Sequence, residues 1–119
     1  MGKHNEFGKQ GEQLAVDYLF GKGYKILARN YRFGKAEIDI IARQGETLAI
    51  VEVKSRNTGF LEDISTTINA KKQGLLVQAA DQYVQENNLD VEVRFDVITV
   101  IKKEVNFEID HLEDAFYFF

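Results

Sequence analysis

The stretch EIDIIARQGETLAIVEVKSR, residues 37–56, decides the fold. Two runs rich in Ile and Val, Ala36 to Ala42 and Thr47 to Arg56, flank Gly45 and predict a β-hairpin. Apolar residues on both faces are typical of buried strands. Carboxylates within such strands are costly unless they are paired, hydrogen-bonded or bound to a metal. The stretch therefore predicts a sheet with a polar site built on it.

The length of the hairpin loop decides which acids meet. A two-residue loop at Gly45–Glu46 places Asp39 opposite Glu52, whereas a loop at Gln44–Gly45 places Glu37 opposite Glu52 with Asp39 as its diagonal neighbour. Both registers put the three acids on one face, and an odd-length loop without a bulge would separate them. Because adjacent carboxylates repel unless a proton or cation joins them, we expect a hard divalent ion, Mg²⁺ or Mn²⁺.

Lys54 follows Glu52 by two residues and therefore points to the same side of its strand. An ammonium there could steady a scissile phosphate or orient an attacking water as charge develops. The alternative is an ordinary ion pair between Glu52 and Lys54 on an exposed strand. Arg56 continues the same face and is a candidate substrate contact.

The two predicted helices add candidates. In the first, Glu6 to Phe20, Glu12 lies among small and apolar residues, so it either joins the metal site or reaches water at the helix border. In the second, Thr66 to Glu86, Lys72 continues the apolar stripe and either extends into solvent or reaches the site. Its neighbours, Lys71 and Gln73, are candidate contacts for a substrate backbone.

The element order indicates a single α/β domain over residues 1–119, ordered α-β-β-β-α-β-β. Strands 1 to 3 can form a meander, and the second helix can cross over so that the fourth strand lies beside them. This predicts a mixed central sheet flanked by helices. The remaining strands are expected at Tyr24 to Arg32, Val91 to Ile101 and Val105 to Ile109.

Two features near the C-terminal end are interpreted separately. Asp96, beside Phe95, fits simple alternation of buried and exposed positions. The segment His111 to Phe119 could form a short helical turn. Its run of aromatic residues is too apolar to stay in water, so we expect it to dock on the core or on a partner chain.

Composition excludes several classes of protein. The chain has no cysteine, which removes disulfides and thiolate metal sites, and no apolar run approaches the roughly 18 residues of a membrane span. No signal-peptide pattern is present, so a cytoplasmic protein without a membrane partner is expected. The net charge is −4, with +3 in residues 1–72 and −7 in residues 73–119. Either the basic part meets phosphates, or charge varies along a solvated surface.

Asp39 followed by Glu52-Val53-Lys54 looks like the D…(D/E)xK signature of the restriction-endonuclease-like superfamily. More closely, the chain resembles the small bacterial YraN-type family, described as endonuclease-like. The matching stretches cover nearly the whole chain in order: GKQGEQLAVDYLFGKGYKILARNYRFGKAEIDIIA, IVEVKSR, KKQGLLVQAADQYV, RFDVITV and EDAFYFF.

The resemblance implies a restriction-endonuclease-like fold and a Mg²⁺-dependent phosphodiesterase site, with a layout similar to that of archaeal Holliday-junction resolvases. It implies that Asp39 and Glu52 bind the metal, with Glu12 as an auxiliary acid and the backbone carbonyl of Val53 assisting. Lys54 would then be the catalytic lysine.

Three functions remain in competition. The first is a metal-dependent endonuclease that acts on nucleic acid, with DNA favoured over RNA and branched or structured DNA as one form of substrate. The second is a nucleic-acid-binding module that keeps the fold without cleavage. The third is a structural or interaction protein, suggested by the aromatic tail. A role in cutting junctions would require a symmetric homodimer, because two strands must be cut in step.

Overall fold

The order of helices and strands agrees with the prediction. A computed structural model describes residues 3–57 and 68–116. The elements are α1 (Lys3–Gly21), β1 (Lys25–Phe33), β2 (Ala36–Gln44), β3 (Thr47–Asn57), α2 (Ala70–Glu86), β4 (Glu92–Lys102) and β5 (Phe107–Leu112). Neither described helix is long and apolar enough to cross a membrane.

The five strands form one mixed sheet in the order β1-β2-β3-β4-β5. The pairs β1–β2, β2–β3 and β4–β5 are antiparallel, whereas β3 and β4 are parallel. A parallel neighbour requires a crossover connection, and the segment containing α2 supplies it. The predicted meander and crossover are both confirmed.

Each helix covers one face of the sheet. On one face, α2 packs through Leu76 and Ala79 against a core cluster that includes Ile41 and Ile50. On the other face, α1 packs through Ala15 and Leu19 against a second cluster. The strand residues of that second cluster are Ile40, Ala42, Ala49, Val51, Ile98 and Val100. Because β2 and β3 are buried on both faces, their apolar runs are nearly continuous, as their sequences indicated.

The β2–β3 hairpin closes with a two-residue loop at Gly45–Glu46, since Gln44 pairs with Thr47. Gly45 has φ 60°, a left-handed conformation that glycine adopts without steric cost and that short hairpin loops require. The first of the two predicted registers is therefore the observed one.

The predicted start of α2 at Thr66 lies outside the described residues, and the described helix begins at Ala70. Asn69 is its N-cap, and its side-chain oxygen accepts a hydrogen bond from the backbone N–H of Lys72 at 2.9 Å. Such a cap satisfies one of the free N–H groups of the first turn. The last strand begins at Phe107 rather than at Val105, which is 93% exposed.

The helical turn predicted from His111 is wrong for the described part of the tail. His111 still belongs to β5, where it pairs with Ile98, and a bend follows at residues 113–114. The tail does dock on the core: the ring of Phe116 stacks on Phe95 with centroids 4.8 Å apart, and Ala115 donates its N–H to the Phe95 carbonyl at 2.7 Å. Residues 117–119 lie outside the described part.

Candidate functional site

The candidate site lies where the ladder between β2 and β3 ends. Its last pair is Ile40 with Val51, and the next two residues in the same register are Asp39 and Glu52. Instead of continuing the ladder, the Asp39 carboxylate accepts a hydrogen bond from the backbone N–H of Val53, with Oδ2 2.8 Å from the nitrogen. The two acids are thus neighbours at the point where β2 and β3 stop pairing, at the end of the ladder away from the turn.

The strands are irregular at this point. Ile38 and Ile40 are two residues apart on β2, yet they belong to core clusters on opposite faces of the sheet. Across from Asp39, Asn30 of β1 has φ 53°, a left-handed conformation that asparagine tolerates better than most residues. The Asp39 carboxylate lies at this irregularity and borders hollows on both faces.

We name these hollows by the helix beside them. The α1-side hollow has a volume of about 560 Å³, and the α2-side hollow has a volume of about 260 Å³. Asp39 and Glu52 line both. The α1-side hollow is completed by Phe7, Gly8, Lys9, Glu12, Asn30, Arg32, Val53 and Ser55. The α2-side hollow is completed by Lys35, Ala36, Glu37, Lys72, Leu75 and Leu76.

Glu12 lies inward on α1, as expected for one of its two predicted positions. Its side chain is 16% exposed, and its Oε1 accepts a hydrogen bond from Asn30 at 3.0 Å and lies 3.5 Å from Arg29 Nη2. The structure therefore brings all four residues suggested as metal ligands to the α1-side hollow: Glu12, Asp39, Glu52 and Val53. Within the described residues, however, no three His, Cys, Asp or Glu side chains form a cluster that could hold a metal ion.

Two lysines converge on Glu52 from different elements. Nζ of Lys72 on α2 lies 2.8 Å from Glu52 Oε1, and Nζ of Lys54 on β3 lies 3.5 Å from the same atom. The Glu52 side chain is only 8% exposed, so these ion pairs are partly shielded from water. Lys72 therefore reaches into the site rather than into solvent.

The charges of the site perturb one another. Burial, together with the negative charges of Glu52 and Glu12, raises the pKa of Asp39 to about 7, although the Val53 N–H and Lys72 oppose the rise. Burial lowers the pKa of Lys54, and the nearby charge of Lys72 adds to that effect. For Lys72, the hydrogen bond and charge of Glu52 outweigh burial and raise the pKa. Perturbation of this kind is frequent at functional sites.

The remaining candidates lie at the border of the site or beyond it. Glu37 lines the α2-side hollow and pairs with Arg32 across β1–β2, with Oε2 2.6 Å from Nε. Arg56 lies further along β3, where its Nη1 donates to the Ser55 carbonyl. Lys71 is exposed and Gln73 donates to the Ile68 carbonyl, and neither belongs to the linings of the two hollows.

Asp96 is not the simple alternating residue that the sequence indicated. It is 1% exposed and accepts two hydrogen bonds from Arg94, at 2.9 and 2.8 Å. Nε2 of His111 lies 2.8 Å from Asp96 Oδ2. Nδ1 of His111 in turn lies 3.1 Å from the Tyr18 hydroxyl, which links β5 to α1. Burial alone would raise the pKa of Asp96, but the hydrogen bonds from His111 and Arg94 hold it below its ordinary value. This network is a structural anchor, since its polar groups satisfy one another.

Fold and site together define an α/β protein with a mixed sheet, in which two carboxylates lie side by side where two antiparallel strands stop pairing. The chain belongs to the family described as Uncharacterised protein family UPF0102, which matches residues 11–100. It is similar over 119 residues, the full length of both chains, to UPF0102 proteins of Christiangramia forsetii, at 50% identity, and Flavobacterium psychrophilum, at 49%. A UPF0102 protein of Parabacteroides distasonis is 45% identical over 117 residues, which is 98% of this chain and 97% of the relative.

Proposed function

We propose that this protein is a metal-dependent nuclease that hydrolyses phosphodiester bonds in nucleic acid, DNA in the first place. The proposal includes a YraN-type, restriction-endonuclease-like placement of the fold, with which a five-stranded mixed sheet between two helices is compatible. The observation that supports it is that Asp39, Glu52 and Lys54 lie together where β2 and β3 stop pairing. Both acids border open hollows.

The donor chemistry fits Mg²⁺ or Mn²⁺. Mg²⁺ keeps several waters in proteins and commonly takes only one or two carboxylates together with substrate phosphate, so Asp39 and Glu52 suffice without a third acid. Burial and the neighbouring charge of Glu52 raise the pKa of Asp39 to about 7, so a second negative charge at this place is unfavourable until a proton or a cation joins the pair. In the proposal Asp39 and Glu52 hold the ion, with Glu12 and the Val53 carbonyl at the same hollow. The ion would supply Lewis acidity at the phosphate.

Lys54 and Lys72 provide positive charge beside Glu52. Lys54 is held by Glu52 on a rigid strand, with an 18% exposed side chain, so its ammonium is positioned before substrate arrives. An ammonium so placed can bind a phosphate oxygen and stabilise the charge that develops during hydrolysis. We assign this role to Lys54.

The charge distribution suits a polyanion on this side of the sheet. The strands lie in the sheet in the order in which they occur in the chain. The strand from the basic part of the sequence and the strand from its acidic end therefore lie at opposite edges of the sheet. The edge strand β1 carries Lys25, Arg29 and Arg32 and no acid, whereas β5 at the opposite edge carries Glu108 and Asp110. The site on β2 and β3 lies nearer the basic edge, where a phosphate backbone is attracted.

Metal titration tests the proposal. Calorimetry with Mn²⁺ should show binding to the wild type and strong loss in Asp39→Asn, which keeps the size of the side chain and removes its charge. Asp110→Asn on β5 is the matched control, since that residue is exposed and remote from both hollows. Equal Mn²⁺ affinity in wild type and Asp39→Asn would remove the proposed centre.

A second candidate, a nucleic-acid-binding module without cleavage, is favoured by one observation. Lys72 already neutralises Glu52 at 2.8 Å, and a permanent internal ion pair would leave no role for a metal. Incubation of single-stranded, duplex and branched DNA with Mg²⁺ separates the two candidates. Binding without nicking in all three, together with absent Mn²⁺ binding, would favour the module.

A further inference from the structure

Asp39 and Glu52 border two hollows that open on opposite faces of the sheet. We propose that the substrate strand is unpaired where it passes these carboxylates, running from the α1-side hollow over the acid pair into the α2-side hollow. The inference rests on the proposed nuclease function and names its substrate class: a single strand, or a single-stranded segment within a larger structure.

Stiffness separates single strands from duplexes at such a site. A path with contacts on both faces must turn within a few nucleotides at the gap where β2 and β3 stop pairing. Duplex DNA has a persistence length of about 150 base pairs and resists such a bend, whereas an unpaired strand does not. Enzymes that reach a nucleotide enclosed by protein take it as single strand or extrude it from the duplex.

The α1-side hollow carries the groups that single-strand sites combine. Phe7 offers an aromatic ring for a base to stack on, and it is partly exposed. Lys9 is exposed and adds positive charge for a phosphate, whereas the exposed Arg32 already pairs with Glu37. The carboxylates of Glu12, Asp39 and Glu52 line the same hollow, so positive charge is local to Lys9 and Arg32. Aromatic side chains beside cationic groups bind single strands with little dependence on base sequence. The volume of about 560 Å³ lies within the range of sites that enclose a small molecule.

The α2-side hollow is smaller and has an apolar wall instead of an aromatic ring. Lys35 supplies positive charge, Lys72 is paired with Glu52, and Leu75 and Leu76 of α2 form the wall. The hollow, at about 260 Å³, is less than half as large as the first. An apolar wall beside ammonium groups can accept the face of one base and its phosphate, which suits the continuation of the same strand.

Fluorescence anisotropy tests the inference without depending on cleavage. A short labelled oligo(dT), its single-stranded RNA counterpart and a duplex of equal length are titrated in EDTA at low salt. We expect the wild type to bind the single strand about tenfold or more tightly than the duplex. Phe7→Leu should weaken single-strand binding by about fivefold to 100-fold, as expected for loss of one stacking contact.

The second measurement is the salt dependence of binding in variants of one lysine from each hollow. Lys9→Ala and Lys35→Ala should each reduce the slope of log affinity against log salt by about 0.7, the value of one phosphate contact on a single strand. Lys22→Ala is the matched control, because Lys22 is exposed and lies outside both linings. Its smaller effect separates local contacts from loss of net charge.

The outcomes of this test differ from those of the metal titration. Duplex binding as tight as single-strand binding, or an unchanged salt slope in both hollow variants, would overturn the inference even if Mn²⁺ binds as proposed. Selective single-strand binding would support it even if the metal titration fails. Preference for the RNA strand over the DNA strand also supports an unpaired path.

Discussion

Nζ of Lys72 lies 2.8 Å from Oε1 of Glu52, closer than the 3.5 Å that separates Lys54 from the same oxygen. Lys72 belongs to α2, whereas Glu52 and Lys54 share β3, so the shorter of the two lysine contacts to Glu52 joins two elements. Through this contact, α2 supplies Glu52 with a counter-charge from within the protein. An ion that binds Glu52 has to share it with that ammonium.

The first prediction follows from this competition. Lys72→Met removes the positive charge while keeping the stem that packs beside the apolar stripe, so Mn²⁺ affinity should rise by about tenfold. Lys71→Met is the control, since Lys71 is exposed on the same helix and outside both hollows. Calorimetric titration of both variants checks the prediction, and equal affinity in both would show that Lys72 does not compete with the ion.

The second prediction concerns pH and Asp39. In the unfolded chain this carboxyl titrates near its ordinary pKa of 3.8, whereas in the folded protein burial and the charge of Glu52 raise the pKa to about 7. Between these values the folded state binds more protons, so the free energy of unfolding falls as pH rises. The fall due to Asp39 is at most about 1.4 kcal/mol per pH unit and levels off above about pH 7.

Urea unfolding of wild type and Asp39→Asn at several pH values measures by difference the contribution of Asp39 with its interaction with Glu52, because the titrations of groups remote from the pair cancel. The wild type should lose stability relative to the variant from about pH 4 to about pH 7. A constant difference over that range would contradict the raised pKa. Added Mn²⁺ above pH 7 should recover stability in the wild type alone, since it binds the folded state.

Much of the hairpin was predictable because one glycine marks its turn. A turn centred on Gly45 allowed two even-length registers, and either one placed Asp39 and Glu52 on one face. Alternation along β2 could not show that Ile38 and Ile40, two residues apart, belong to core clusters on opposite faces. The second hollow, which Asp39 borders at this irregularity, was therefore not predictable from alternation.

The position of Asp96 was missed for a different reason. The pattern of RFDVITV fits a strand with one exposed face, whereas in the structure β4 contributes to both core clusters, with Val97 on one face of the sheet and Ile98 on the other. Arg94, two residues earlier on the same face, was the signal that a buried acid could have a partner. His111 could not be assigned to it, since its segment was expected to be helical.

The third prediction uses this buried network. Asp96→Asn leaves the partly buried Arg94 beside a neutral amide and weakens the links to His111 and to the backbone N–H of Asp114. Removing one partner of a buried ion pair typically destabilises a protein by about 3–5 kcal/mol. Urea denaturation measures the loss, with Asp110→Asn on the exposed side of β5 as the control. Similar midpoints for the two variants would show that the network contributes little.

The last prediction separates chemistry from stability at Lys54. Lys54→Met keeps the length of the side chain and removes the ammonium, whose contact with Glu52 is the longer of that residue's two lysine contacts. Because Lys72 still neutralises Glu52, the midpoint of thermal unfolding should change by only a few degrees, corresponding to roughly 1 kcal/mol or less. Nicking of DNA with Mg²⁺ should fall by about 100-fold or more, since a positioned charge acts mainly on the transition state. Mn²⁺ affinity serves as the internal reference: it should be retained or increased. Unchanged cleavage in a folded, metal-binding Lys54→Met protein would contradict the role assigned to Lys54 and would indicate that the ammonium of Lys72 has that role.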